Sequence, residues 1–267
     1  MMRTVTKIIV PTTGGARGAQ VLEVADELAG IYGLPILVNS WVDEEPELAL
    51  RRSEMDRITA PLTAPVTIEV EMSDDPGAAV EAAADEGIVC MATSAKLTRH
   101  DGHFGSYAER ALRTARQPLV LLGPSVTRGV RGTSRIVVPV DGSAASESAI
   151  QVAADLGDRS GAKLWVVTVV SEQQRHSAIA AGVTIESGYV RRLAKPVRGE
   201  FEVLHGDDTA RRIVDFASSD GLVVMSSHGK SGLARLAAGS VTMAVVAEAA
   251  APVLVIPPRF GPPEGGA

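Results

Sequence analysis

Leu222-Val-Val-Met-Ser-Ser-His-Gly-Lys-Ser-Gly-Leu-Ala-Arg-Leu-Ala-Ala-Gly239-Ser240 is the stretch on which the reading of this chain turns. Its first four residues are a short apolar burst of the kind that fills a central parallel strand. A polar loop with Gly229 and Gly232 follows, and residues 241–251 read as a helix stopped by Pro252. Strand, glycine loop and helix start, in that order, put free backbone N–H groups and a positive helix end at the carboxyl edge of a sheet. Anions bind well there, phosphates above all. Glycine lets the backbone approach the phosphate oxygens, and Ser240 suits an N-cap whose hydroxyl can turn to a phosphate instead. Gly229-Lys230-Ser231 lacks the upstream glycine of a Walker A loop, so that motif fails.

Outward from this stretch, the chain repeats itself. Residues 7–11 and 135–139 are each an apolar strand ending at proline, Pro11 and Pro139. Amphipathic helices over 19–32 and 144–160 follow, stopping at Gly33 and Gly161, and strands over 35–38 and 163–170 come next. Residues 43–63 and 172–195 diverge and read as a helix inside variable loops. Strands return at 66–70 and 199–203, helices at 75–86 and 207–219, and strands at 88–91 and 222–225. Both halves end on a proline-led apolar run, 117–122 and 251–256. Met91 and Met225, and Pro118 and Pro252, are each separated by 134 residues, so the halves align there without a gap, and Gly105-Ser106 falls on Gly239-Ser240.

Repeated β-α-β-α-β patterns require right-handed parallel crossovers. The fold expected is therefore α/β: two tandem five-stranded parallel-sheet, Rossmann-like domains, with helices on both faces, one doubly wound sheet per half. Residues 1–123 form the first, 134–258 the second, 124–133 a linker and 259–267 a disordered tail. The bare apolar strands over 119–122 and 253–256 would each be an exposed edge, and pairing them joins the halves as an intramolecular pseudo-dimer.

Composition narrows the function classes. Hydrophobic residues make up 45% of the 267 positions but aromatics only 3%, which favours layered packing of Val, Leu, Ile and Ala. A net charge of −6 offers no general pull toward nucleic acid or acidic lipid. One cysteine forbids an internal disulfide and fits a reducing, cytoplasmic compartment. The most apolar tract, 241–256, is broken by Glu248 and Pro252, so no membrane span is expected, and residues 1–11 hold no apolar stretch long enough for a signal peptide.

Arg135-Ile-Val-Val-Pro-Val-Asp141-Gly-Ser143, the run from Met225 to Ser240, and Ala251-Pro-Val-Leu-Val-Ile256 together resemble the universal stress protein family in its tandem form, over nearly the whole chain. The resemblance implies an adenine nucleotide alpha hydrolase-like fold. ATP-binding members carry a glycine, two residues, a glycine, nine residues, then Gly-Ser or Gly-Thr. Here Gly229, nine residues and Gly239-Ser240 match, while Ser226 stands at the first glycine. The resemblance implies an ATP site in the second half, drawing on Pro139, Val140, Asp141, Ser143, Met225, Ser226, His228, Gly229, Lys230, Gly232, Gly239, Ser240 and Val241. Asp141 would accept hydrogen bonds from ribose or adenine. Mg²⁺ could accompany the ATP, and a cyclic nucleotide could replace it.

The first half has lost those features. Thr13 stands for Asp141, Ala92 for Ser226, Ala95 for Gly229 and Thr98 for Gly232, so this half is expected to be a structural partner. Ser106-Tyr107-Ala108-Glu109 reads as a capping box. Cys90 reads as a packing residue in a core strand, and His100 and His103 lack further ligands for a metal. Asp141, Ser143 and His228 do not make a hydrolase triad, because no nucleophile elbow is present. The expectation is a stress-response regulatory protein that signals its nucleotide state to a protein partner of unknown identity, with a homodimer as a further option. A scaffold that binds no nucleotide and a slow ATPase are the alternatives. Against the ATPase, no carboxylate cluster for Mg²⁺ and no general base sit beside the loop.

Overall fold

The computed structural model describes residues 5–94, 105–173, 187–218, 220–227 and 239–257. Within them ten strands form one sheet in the order β3-β2-β1-β4-β5-β10-β9-β6-β7-β8. The strands are β1 (Ile8–Pro11), β2 (Ile36–Val42), β3 (Val66–Met72), β4 (Ile88–Ala92) and β5 (Leu119–Leu122) in the first half. In the second they are β6 (Arg135–Pro139), β7 (Lys163–Val170), β8 (Glu200–His205), β9 (Gly221–Ser226) and β10 (Val253–Ile256). Each half thus has the order 3-2-1-4-5, all parallel. Each half contributes five parallel strands, as expected, and the two sets are joined where the sequence placed the join. The last strands pair antiparallel, Val253 with Leu121, Leu254 with Val120 and Val255 with Leu119, and fuse the two sheets into one. Apolar strands whose edges would otherwise lie open remove both edges by this pairing. Because the join is antiparallel, the carboxyl edges of the two halves point in opposite directions.

Strand alternation sorts the core into two faces. Ile8, Val10, Ile88, Cys90, Val120, Leu122, Ile136, Val138, Val224 and Leu254 point to one face; Ile9, Val89, Met91, Leu119, Leu121, Val137, Val223, Met225, Val253 and Val255 point to the other. The first face is covered by α1 (Gly15–Tyr32), α2 (Leu48–Thr59), α6 (Ala149–Ser160) and α7 (Ser187–Ala194). A four-residue α5 (Ala144–Glu147) precedes α6. The second face is covered by α3 (Pro76–Glu86), α4 (Ser106–Thr114), α8 (Thr209–Ala217) and α9 (Ser240–Glu248). Both clusters run unbroken through both halves, so the halves share their core.

The helix ends show where long-range contacts override local pattern. Helix α1 starts at Gly15, four residues before the expected start, because the Glu54 carboxylate of α2 accepts the Gly15 N–H at 2.9 Å and serves as its cap. Helices α1 and α6 stop as expected at Gly33 and Gly161, whose φ of 67° and 75° is left-handed. The helix expected over 144–160 is broken at Ser148 into α5 and α6. Segment 124–133 is strapped down along its length. Thr127 N–H donates to Ala250 O at 2.9 Å, Ser125 Oγ to Ala247 O at 2.7 Å, Arg131 N–H to Glu27 Oε2 at 2.9 Å, and Val126 and Val130 are buried. Cys90 is fully buried, its thiol 3.8 Å from Val21 O and pushed up in pKa by burial, as a packing residue should be. His100, His103 and the tail 259–267 lie outside the described residues.

Candidate functional site

In an open α/β sheet the crevice lies where strand order reverses, outside the carboxyl ends of the two strands concerned. Here those strands are β6 and β9. Their ladder runs from Arg135 opposite Gly221 to Val137 opposite Val223, while β6 continues to Pro139 and β9 to Ser226. Beyond that point the backbones part, and both bear candidate residues.

The turn after β6 is tightly organised. Ser143 donates to Asp141 Oδ1 with both its N–H (3.0 Å) and its hydroxyl (2.6 Å). The same Ser143 Oγ accepts the Ser146 N–H at 3.2 Å and caps α5. Ser146 Oγ donates to Ser143 O at 2.9 Å and accepts the Asp141 N–H at 3.2 Å. Ser143 therefore fixes the carboxylate and Ser146 the turn's backbone, and both hydroxyls of this turn are engaged. Gly142 turns the chain with φ 87°, a conformation that a side chain would strain. Over this turn lies Tyr189 of α7, whose hydroxyl donates to Glu147 Oε1 at 2.7 Å. Its pKa is pushed up by burial, then by the bond to and charge of Glu147, then by the charge of Asp141. Tyr189, Glu147 and Ser146 escaped the sequence reading; only a contact between residues 42 apart brings the tyrosine here.

Across the crevice, Ser226 ends β9 and Ser227 follows it, both buried. Ser227 N–H donates to Ile256 O at 2.8 Å, and Gly239 N–H donates to Ser227 O at 2.7 Å, closing the base of the intervening loop. Thr242 Oγ1 adds a bond to Ser226 O at 3.0 Å. Gly239 is the N-cap of α9, with extended dihedrals of φ −70° and ψ 158°, and Ser240 is the first helical residue. The expected N-cap role of Ser240 is thereby corrected, and its side chain is exposed. The same one-residue shift applies to the other half, where Gly105 and not Ser106 caps α4. Of the remaining candidates, Val140 and Met225 are buried in opposite core faces, and Pro139 and Val241 are half-buried. His228, Gly229, Lys230 and Gly232 lie outside the described residues.

The first half repeats the crevice. The β1–β4 ladder stops after Ile9 opposite Val89, and a cavity of about 390 Å³ opens between the parted ends. Its walls include Thr12, Arg17, Gly18, Trp41, Met91 and Thr93. Thr13 at its rim is exposed and offers no carboxylate.

Sequence comparison decides the family. A universal stress protein of Methanocaldococcus jannaschii is 30% identical over 152 residues, which are 51% of this chain and 89% of the relative. The chain belongs to the universal stress protein family. The family model, described as "Universal stress protein family", matches residues 132–257, the second half. A universal stress protein of Mycobacterium tuberculosis is 29% identical over 187 residues, 66% of this chain. That match spans 63% of the mycobacterial protein, less than two thirds of its length. Among solved structures, a universal stress protein from Archaeoglobus fulgidus superposes with TM-score 0.69 at 15% identity, covering 95% of this chain and 97% of that one. A putative universal stress protein from Pseudomonas aeruginosa gives 0.69 at 15% identity, covering 96% and 94%. These full-length superpositions establish the fold, two universal stress protein-like halves in one chain. No described helix is long and apolar enough to cross a membrane.

Proposed function

We propose that this universal stress protein binds one adenine nucleotide in the crevice between β6 and β9 and reports its presence to a protein partner. The observation that carries the reading is the Asp141 turn. A carboxylate held by the Ser143 N–H and hydroxyl sits at the switch point opposite a glycine-capped helix start. Such an acceptor suits the hydroxyls of a ribose, and the first turn of α9, beginning at Gly239, suits phosphate oxygens. ATP is the nucleotide favoured by the Gly229, Gly239-Ser240 spacing; Mg²⁺ and a cyclic nucleotide are the variants to compare with it.

The test is calorimetry with ATP on the intact chain and on Gly239→Val. A Cβ at Gly239 would meet only Ser227 O, at 3.7 Å, so the variant should fold normally. It should lose at least about 100-fold in affinity, because each phosphate hydrogen bond to a charged group contributes roughly 1.5–3 kcal/mol. Equal ATP affinity in both proteins would refute the assignment. Absence of ATP binding to the intact chain would favour the scaffold reading, and timed ADP release would favour the ATPase.

A further inference from the structure

We propose that the cavity of the first half is a second ligand site, of inverted charge, that takes a small organic anion with a flat apolar body and no ribose. The inference is independent of nucleotide binding in the second half.

Corresponding positions in the two crevices differ in a consistent direction. Gly33 and Gly161 end corresponding helices 128 residues apart, and that spacing places Thr13 on Asp141, Arg17 on Ala145 and Gly18 on Ser146. At these positions a carboxylate is gone and a cation has appeared, while the Glu54 carboxylate at the start of α1 is engaged by the Gly15 N–H and by Arg51. Arg17 is not merely a surface charge near a hole. Its Nη2 donates to Leu122 O (2.7 Å) and Gly123 O (2.5 Å), and its Nη1 to Gln20 Oε1 (2.5 Å). Those bonds use three of the five guanidinium N–H groups and fix the plane at the cavity wall. No carboxylate pairs with it among the described residues, and burial holds its pKa below the ordinary arginine value. A half-buried cation anchored only by neutral carbonyls and an amide, with two N–H groups left, favours an anion beside it.

The remaining walls specify the body of that anion. Trp41, at the end of β2, is buried apart from 8% of its surface and presents an aromatic wall where the second half has Val169. Met91, Val21 and Ala108 supply further apolar surface. Gly18 makes room for the Thr12 hydroxyl in the wall: a Cβ there would fall 2.4 Å from Thr12 Oγ1. Thr12 Oγ1 in turn accepts the Gly14 N–H at 3.0 Å and holds the rim turn open. A cavity of this size suits one small molecule, mostly apolar in contact with a few fixed polar groups.

The head group could be a carboxylate or a phosphate monoester, which share their chemistry toward a guanidinium. The probes are naphthalene-2-carboxylate, 2-naphthyl phosphate and the neutral naphthalene-2-methanol, titrated calorimetrically into the full chain, with and without ATP. At least one anion should bind one per chain, on the order of tenfold tighter than the alcohol, and ATP should not displace it. The stronger anion identifies the head group. Arg17→Met should remove that preference while leaving alcohol binding unchanged. Thr13→Asp, at an exposed rim position that does not threaten folding, should weaken the anion several-fold through like charge. Equal binding of acid and alcohol would overturn the proposal, as would millimolar dissociation constants for both anions, competition by ATP, or insensitivity to Thr13→Asp.

Discussion

The two crevices of this chain are built from the same strands in the same order and differ in what their first turn offers. After β6 the turn presents Asp141, oriented by Ser143 and Ser146. After β1 the equivalent turn presents Thr13, and a helix turn later Arg17 reaches across to the end of β5. Architecture was retained while polarity was reversed. On the proposal above, the half without a counterpart of Asp141 carries a ligand site of different chemistry. Packing required only the apolar strands and the helices that cover them.

The strongest way to break the comparison is to sever the halves. Val255 is fully buried and lies between Leu119 of the first half and Met225 of the second. Val255→Asp places an unpaired charge there and should cost about 4 kcal/mol or more. The two tryptophans fall one in each half, Trp41 and Trp165, so single-tryptophan variants report the halves separately. Because both core faces run through the β5–β10 join, the two reporters should share one denaturation midpoint, and both should fall together in the Asp variant. Separate midpoints would mean that the halves are thermodynamically independent.

Next in size is the nucleotide asymmetry. Thr13 cannot replace the Asp141 carboxylate, and Arg17 is a donor where a ribose hydroxyl seeks an acceptor. Together these should weaken any nucleotide binding in the first half by several tens-fold at least. Titration with ATP should therefore saturate at one per chain. A value near two would show that the first crevice tolerates these changes and would remove the contrast between the halves.

Much of this was legible in the residues. The repeat, with Pro11 and Pro139 closing one strand pair and Pro118 and Pro252 opening another, announced two like five-stranded halves, and the bare runs 119–122 and 253–256 announced the join. What stayed hidden depends on contacts distant in sequence. Glu54 starts α1 from 39 residues away, and Arg17 reaches Leu122 across 105 residues. Tyr189 comes to the Asp141 turn from a helix within a divergent segment whose position against that turn no local pattern gives. Ser240 was misassigned as a cap because Ser is the commoner cap residue; backbone dihedrals, not residue type, place the helix start at Gly239.

A smaller difference between the halves titrates. Asp26 of α1 accepts Thr63 N–H and Oγ–H at 2.9 Å each and Ala64 N–H at 2.8 Å, whereas the second half has Ala154 at the matching position. Burial would raise the Asp26 pKa, but the bonds from Ala64 and Thr63 outweigh it and hold it below the ordinary carboxylate value. A depressed folded-state pKa contributes stability above the unfolded value, near 3.9, and loses it as pH falls through the folded value. Asp26→Asn should thus lower stability at neutral pH by less than about 1 kcal/mol, because solvent screens this partly exposed carboxylate. The gap between variant and parent should narrow as pH falls below the unfolded value and through the depressed folded one. A gap independent of pH would assign the loss to packing.

The finest test concerns Ser226, which stands where the family's ATP binders carry glycine. Ser226 ends β9, pairs with Ile256, is buried, and lends its carbonyl to Thr242 Oγ1. Its backbone is therefore held by the sheet on one side and by α9 on the other, and Ser226→Gly should leave the course of the chain unchanged. The variant should lose about 0.5–1 kcal/mol of stability, the ordinary cost of glycine in a strand. Against that, removing the Cβ lets ribose or phosphate approach the backbone more closely. ATP affinity should rise by roughly three- to tenfold, equivalent to about one hydrogen bond gained. The two effects have opposite signs and are read by different measurements, thermal unfolding without ligand and calorimetry with it. An unchanged affinity would mean that the nucleotide does not pass over Ser226. A lower affinity would mean that the serine hydroxyl itself binds the ligand, and that this half has replaced a glycine contact by a side-chain one.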